Sequence, residues 1–130
     1  MADADVVLAR NSAGHAGYHD RSFVGRLHEE AMWDWDEYWL LEKALYDLAA
    51  AGDFRREVAW PLFRIFSYGL LLFGCHVDPN DRFAFEAMSA EQVHELRDRF
   101  QCVFEGFFAG EMPAQDSFAT RNPLLLRAGG

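Results

Sequence analysis

The segment from Asp34 to Ala51 constrains the fold more than any other part of the chain, because it carries a complete set of helix signals. Asp34 can accept a hydrogen bond from the backbone three residues on, where Glu37 stands as a capping box requires. Trp33, just before the cap, can pack on Tyr38 as a hydrophobic staple. Apolar residues then recur at helical spacing: Trp35, Tyr38, Trp39, Leu41, Leu45 and Leu48. The pattern predicts an amphipathic helix that the following glycine ends.

Two further helical regions follow this segment. Asp53 can cap a helix, and Pro61 fits the first turn of a helix better than its interior, so we expect a short helix and then a longer one. The longer one is apolar on nearly every side, which predicts that it lies at the centre of the domain. Ser89 and Gln92 form a second capping box. The helix after it presents one apolar face: Val93, Leu96, Phe100, Val103, Phe104 and Phe107.

The ends of the chain and one connection carry weaker signals. Val6 to Arg10 fit either a brief strand or an extended arm, and Asn11 to Asp20 fit a loop rich in Gly, Ser and His. Phe83 to Ala87 alternate briefly between apolar and other residues, as in a short strand. Phe118 and Leu124–Leu126 are expected to hold an irregular tail on the core.

The composition agrees with a folded helical protein. A length of 130 residues suits one domain, and 51% hydrophobic with 15% aromatic residues supplies a dense core and excludes a disordered chain. We therefore expect a mainly α fold, in which residues 1–130 form a single compact helical domain. It has about four main helices, irregular N- and C-terminal arms, and room for one short strand pair.

The net charge of −9 limits the classes of partner. Nucleic-acid binding needs clustered Lys and Arg, and anionic membranes repel the same acidic surface, so neither is expected. A basic protein is the natural counterpart, because complementary charge speeds encounter and suppresses wrong partners. The alternative is that the acidity only keeps the protein soluble.

The remaining composition points to a cytoplasmic protein. Cys75 and Cys102 are too few for a disulfide scaffold and lie among apolar residues, as buried thiols do in a reducing compartment. The first residues include two aspartates, whereas the start of a signal peptide carries basic residues. The most apolar run, Leu62 to Gly74, is interrupted by Arg64 and is too short to span a bilayer.

The sequence predicts neither catalysis nor a cofactor. His28-Glu29-Glu30 begins like the zinc-protease motif, but Met32 stands where its second histidine belongs. No G-x-S-x-G or phosphate-binding loop occurs, and Lys43 is the single lysine. Consequently we expect no enzyme, no metal and no small-molecule substrate. The alternative is a small enzyme whose unrecognised site joins a carboxylate to one of three histidines: His28, His76 or His94.

An aromatic cluster at the start of the first long helix is the most distinctive surface candidate. Four rings stand within seven residues and cannot all point one way on a helix: Trp33, Trp35, Tyr38 and Trp39. All four rings could pack in the core, whereas one left exposed beside Asp36 or Glu37 would make a recognition patch for a basic partner.

The same region carries a family resemblance. The stretch Phe23–Glu29, followed by Trp33-Asp34, Tyr38-Trp39 and Leu41-Glu42, resembles the immunity protein 41 family of bacterial polymorphic toxin systems. Leu8–Asn11 and Asn122–Leu125 also resemble the ends of that family. The resemblance implies a mainly helical protein that binds and neutralises the C-terminal domain of a toxin encoded beside it, as in contact-dependent growth inhibition. It supplies no catalytic residues.

These observations predict two sets of residues. The predicted partner-binding set combines one ring with the acids around the first long helix: Glu29, Glu30, Trp35, Asp36, Glu37 and Asp47. A second acidic face competes with it: Glu86, Glu91, Glu95 and Asp98. The predicted structural set maintains the fold: Trp33, Asp34, Tyr38, Leu41 and Leu45. Many delivered toxins are nucleases with a basic groove, which acids could occupy. A generic adaptor or self-associating module is the remaining alternative.

Overall fold

The computed structural model describes residues 3–128, and within that range the protein is mainly helical. Its helices are α1 (Ala4–Arg10), α2 (Phe23–Glu30), α3 (Trp35–Ala50), α4 (Arg56–Val77), α5 (Ala90–Ala109) and α6 (Pro123–Ala128), with one 3₁₀ turn at Gln115–Ser117. The mainly α prediction is confirmed. The predicted strand pair is not found among these residues, and both arms of the chain contain a short helix.

Helix α3 begins and ends as its sequence indicates. Asp34 Oδ1 accepts from the Glu37 amide at 3.1 Å, and the Trp33 and Tyr38 rings lie 4.9 Å apart. Gly52, just after the helix, adopts a left-handed φ of 66°. The Glu37 carboxylate does not return to the cap as a capping box would require. It binds Arg10 of α1 instead, through bonds of 2.9 and 3.2 Å, and so fastens α1 to α3.

Helix α4 differs from its prediction in two respects. It is one uninterrupted helix of 22 residues, with Pro61 inside it rather than at a second helix start. Asp53 does not cap it, because Arg55 takes the N-cap position without a side-chain cap and the Asp53 carboxylate binds the Arg55 guanidinium. Six apolar residues before and after the proline pack inward, which keeps the helix continuous: Val58, Leu62, Ile65, Gly69, Leu72 and Phe73.

The prediction that this helix lies at the centre of the domain is wrong. Helix α4 packs against α1 and α5 on one side and is open on the other, where Arg64 is exposed. By length and mean hydropathy it could cross a bilayer, in contrast to the expectation for Leu62 to Gly74. Only a third of its apolar window is buried in the protein, whereas a core helix that passes the same test is mostly buried.

Helix α5 forms the second wall of the core. Its predicted capping box is present, since Ser89 Oγ accepts from the Gln92 amide and Gln92 Oε1 accepts from the Ser89 amide. All six residues of the predicted apolar face are buried. The loop before it contains no strand, because the Phe85 amide donates to His76 Nδ1 at 3.0 Å rather than to a neighbouring strand. Phe85 itself is buried among aromatic rings.

A buried ion pair joins α3 to α5. Arg99 Nε and Nη2 donate to the two carboxylate oxygens of Glu42 at 2.7 and 2.9 Å, and both side chains are shielded from solvent. Tyr38 also donates to Glu42, at 3.0 Å. Burial raises the pKa of Tyr38 well above its ordinary value, with a further contribution from Glu42, so this phenol stays a donor. Tyr38 and Arg99 are therefore both donors to this carboxylate.

The C-terminal segment completes this network. Asn122 is buried and donates to the Trp39 carbonyl at 3.0 Å and to Glu42 at 3.1 Å. Gln115 donates to Glu42 at 3.2 Å, and the Arg99 guanidinium also donates to the Thr120 carbonyl. Arg99 lies between two rings, 4.7 Å from that of Trp39 and 4.4 Å from that of Phe118. The prediction that Phe118 holds the tail is borne out through this cation–π contact.

Helix α2 is attached through a close backbone contact. Asn11 is buried and accepts from the Val24 amide at 3.0 Å while donating to the Val7 carbonyl, which ties the start of α2 to the end of α1. A Cβ on Gly25 would lie 2.3 Å from the Asp20 carbonyl oxygen. Glycine is therefore required at that position.

Glu42→Ala should lower the free energy of unfolding by about 3–5 kcal/mol, because it leaves the Arg99 charge buried without its partner. Urea denaturation at neutral pH measures the change. The matched control is Glu105→Ala on the exposed side of α5, which should change stability by less than about 0.5 kcal/mol. Equal effects of the two substitutions would contradict the importance of the network.

Candidate protein-binding surface

Three of the five acids in the predicted partner-binding set form an ion pair with an Arg or Lys of the protein. Glu30 binds Arg26, Asp47 binds Lys43, and Glu37 binds Arg10, so these three carboxylates already have a cation within the fold. Glu37 is also half-buried. A carboxylate in such a pair has less to offer a partner, because binding must first break or share the internal pair.

The other predicted members remain open to solvent. Glu29 and Asp36 are exposed, and within residues 3–128 the one ionic partner of Glu29 is the exposed His28 imidazole at 4.0 Å. Trp35 is 42% exposed, while its ring also contacts the Trp39 ring at a centroid distance of 4.8 Å. Of the four clustered rings, Trp35 is thus the one that reaches the surface.

Trp35 opens onto a groove that the sequence did not reveal. The groove has a volume of about 880 Å³ and runs between the start of α3, the first half of α5 and the C-terminal segment. Its apolar lining includes Met32, Met88 and Phe118. Its acidic lining is Glu86, Glu95 and Asp98. The structure therefore brings Trp35 together with three of the four acids from the competing set, while Glu91 is exposed on the first turn of α5.

Most of the negative charge in this groove is not neutralised by an ion pair within the described residues. Among residues 3–128, Glu86 and Glu95 have no ion pair, and Asp98 meets the exposed His94 imidazole at 3.5 Å. Arg99 also borders the groove, but its guanidinium is bound to Glu42 and buried. The groove therefore combines an exposed indole with uncompensated negative charge, which suits a lysine or arginine side chain.

Four of the five residues predicted to be structural are buried in the core, and the fifth, Asp34, caps α3. Tyr38, Leu41 and Leu45 are fully buried, and Trp33 lies among the rings of Phe23, Phe73, Phe85 and Phe100. Trp33 also borders the groove, and its indole Nε1 has no hydrogen-bond partner among the described residues. The floor of the groove is therefore fixed by core packing.

The three histidines of the enzyme alternative lie in different places, and two of them have a carboxylate nearby: Glu29 is 4.0 Å from His28, and Asp98 is 3.5 Å from His94. His76 accepts from the Phe85 amide, and His94 lies on the exposed side of α5. His28 borders a second groove of about 790 Å³ between the α1–α2 loop and α4, where its Nδ1 is 3.4 Å from the Tyr68 hydroxyl. Ser12, the serine of that groove, donates its hydroxyl to the Leu8 carbonyl rather than to a base.

Metal-binding groups are also separated. No cluster of three or more His, Cys, Asp or Glu side chains with metal-ligand geometry occurs in the part of the chain that the structure describes. Cys75 is half-buried and Cys102 is exposed, so the prediction that both are buried thiols is wrong for Cys102 and met only in part by Cys75. Its neighbours Val103 and Phe104 point inward, and the helical turn leaves the thiol outside.

Trp35→Ala should lower the free energy of unfolding by roughly 1 kcal/mol, because its ring is already half in water. Trp33→Ala should cost about 3–5 kcal/mol, because it empties a packed aromatic site. Urea denaturation of both variants gives the comparison. A larger loss for Trp35→Ala than for Trp33→Ala would show that the exposed ring belongs to the core rather than to a recognition surface.

Comparisons of the chain with models of protein families, with curated proteins and with solved structures find no match. The resemblance of the segment from Phe23 to Glu42 to the immunity protein 41 family therefore stays a prediction.

Proposed function

We propose that this protein is an immunity protein that binds a basic toxin domain through the groove around Trp35. The observation that carries the proposal is the exposed Trp35 ring in a groove whose Glu86 and Glu95 carboxylates have no cation among the described residues. The resemblance to an immunity family and the net charge of −9 support the same conclusion from the sequence.

The groove has the two components of a strong protein interface. Trp35 is a large and rigid anchor, and tryptophan is among the residues that most often dominate binding energy. The surrounding carboxylates attract a basic partner from a distance and reject acidic ones. A lysine or arginine of the partner would lie over the indole and donate to Glu95 or Asp98. This geometry combines cation–π attraction with charge-assisted hydrogen bonds.

Occlusion is the mechanism that follows from such binding. A toxin that acts on nucleic acid needs a basic substrate groove, and a protein carrying unpaired carboxylates can cover that groove in place of phosphates. A nuclease toxin is therefore our preferred partner class. The protein itself would need no catalytic group, cofactor or metal for this function, and it would act in the cytoplasm, where the delivered toxin arrives.

The surface predicted from sequence becomes the competing location. Glu29 and Asp36 are exposed and have no Lys or Arg partner in the part of the chain that the structure describes, so a basic protein could also approach the α2–α3 side of the molecule. The groove on α5 is favoured because it combines concave shape, an exposed indole and several carboxylates in one place. A generic adaptor would use the same groove for a different basic protein, so function and location need separate experiments.

Co-expression of the full chain with the toxic domain encoded beside it tests the function. We expect the two proteins to purify as a complex and growth of the host to be restored. The matched control is a catalytically inactive toxin domain, which should still bind. A toxin that remains lethal and unbound in the presence of well-folded protein would overturn the immunity proposal.

A pair of charge reversals tests the location. Glu95→Lys with Asp98→Lys should slow association with the toxin domain roughly tenfold or more and reduce its salt dependence. Glu29→Lys with Asp36→Lys makes the same change of charge on the competing side and should alter the association rate less than threefold. Stopped-flow kinetics at several salt concentrations measure both. The reverse ranking would move the interface to the α2–α3 side.

A further inference from the structure

The solvent-exposed side of α4 carries a row of residues, here called the stripe, whose positions are spaced symmetrically about the middle one. Seven positions of this stripe are exposed: Arg56, Trp60, Phe63, Ser67, Leu71, Gly74 and Asp78. Their spacings are four, three, four, four, three and four residues, so the six positions within α4 keep to one side of the helix, and Asp78 is the C-cap residue directly after it. Ser67 stands at the centre, and each position before it has a counterpart at the same distance after it.

The apolar part of this stripe is unusually open. Trp60 is 54%, Phe63 49% and Leu71 61% exposed. The Trp60 and Phe63 rings are stacked at a centroid distance of 6.0 Å, and Phe108 of α5 extends the patch beside Phe63 at 6.5 Å. Four large side chains about half in water present several hundred Å² of apolar surface, which monomeric proteins rarely expose unless it binds something.

We propose that a second copy of this chain covers the stripe, with the two α4 helices antiparallel about a two-fold axis at Ser67. A two-fold interface places each residue opposite its counterpart in the stripe. Trp60 of one copy then meets Gly74 of the other, Phe63 meets Leu71, and Ser67 meets Ser67.

Each of these pairings is complementary in size or charge. A Cβ on Gly74 would meet nothing within 4 Å, so this position has space for the Trp60 indole of the other copy. Phe63 and Leu71 bury each other, and the small Ser67 lets the helices approach closely at the axis. At the two ends, the exposed Arg56 faces the exposed Asp78, and neither has an ion pair among the described residues.

The size of the contact sets the expected strength. A helix of 22 residues is about 33 Å long, so two such helices with flanking Phe108 side chains form an interface at the small end of the specific range. A dimer with a dissociation constant in the micromolar range, about 1–100 μM, is the expected result. No α4 residue lines the groove around Trp35, so dimerisation is independent of the proposed function.

Sedimentation of the full chain over a range of concentrations tests for the dimer. We expect the mass to rise from 14.9 kDa toward twice that value within the micromolar range. Ser67→Glu places two like charges at the axis and should weaken the dimer at least tenfold. Gln101→Glu, an equal change on the exposed side of α5, should leave the dissociation constant within threefold of the unaltered protein.

Cross-linking tests the position of the axis. In a Cys75→Ser, Cys102→Ser background, Ser67→Cys should form a disulfide-linked dimer on mild oxidation, because only a residue at the axis meets itself. Ala50→Cys, exposed at the end of α3, is the control and should remain monomeric under the same conditions. Equal cross-linking of both variants would indicate random collision and would overturn the proposed geometry.

A charge swap tests the antiparallel register. Arg56→Asp and Asp78→Arg should each weaken the dimer several-fold, because each places like charges opposite one another. The two substitutions together should restore the dimer, because opposite charges then face each other again with their positions exchanged. A double variant no tighter than the single ones would contradict this register. Circular dichroism of every variant confirms that the helices remain folded.

Two results would overturn the proposal as a whole. One is a mass that stays at 14.9 kDa up to several hundred micromolar. The other is a monomer that floats with vesicles of phosphatidylcholine and phosphatidylglycerol at three to one, with loss of binding in Ser67→Glu but not in Gln101→Glu. That second pattern would assign the stripe to a lipid surface instead of a second copy.

Discussion

The buried pair of Glu42 and Arg99 is the interaction on which the arrangement of this protein depends. Two charges taken out of water are stable only when every oxygen and nitrogen finds a partner, and here the partners come from α3, α5 and the C-terminal segment. Burial alone would lower the pKa of Arg99, but its bonds to Glu42 raise it above the ordinary arginine value, so the guanidinium stays charged. The pair thereby fixes where the C-terminal segment lies.

That placement creates the candidate binding surface. The segment with Phe118 and Thr120 is held against Arg99 and forms one wall of the groove, while α5 supplies the acids and α3 supplies Trp35. The open side of α4 is built from different residues and has a different chemistry: its stripe is mainly apolar between Trp60 and Leu71, and the exposed Arg64 lies beside it. The two surfaces therefore suit different partners: a basic protein at the groove and a second copy at α4.

Local sequence patterns correctly predicted the helix features that depend on short-range interactions. The caps at Asp34 and Ser89 and the apolar face of α5 are short-range features, and the structure has them as expected. The continuous α4 was missed because packing of Leu62 and its neighbours outweighs the hydrogen bond lost at Pro61. The groove was missed because Trp35 and Glu95 are sixty residues apart, and no local pattern brings them together. Internal partners such as Arg10 for Glu37 are equally long-range.

Mapping the surface of this protein that contacts the toxic domain encoded beside it tests the central claim most directly. Backbone amide chemical shifts of the labelled full chain, followed during titration with the inactive toxin domain, give that map residue by residue. The account predicts the largest changes at Trp35, at Glu86 and along the first half of α5, with the α4 stripe unchanged. Changes centred on α2 or α4, with the groove unaffected, would contradict it.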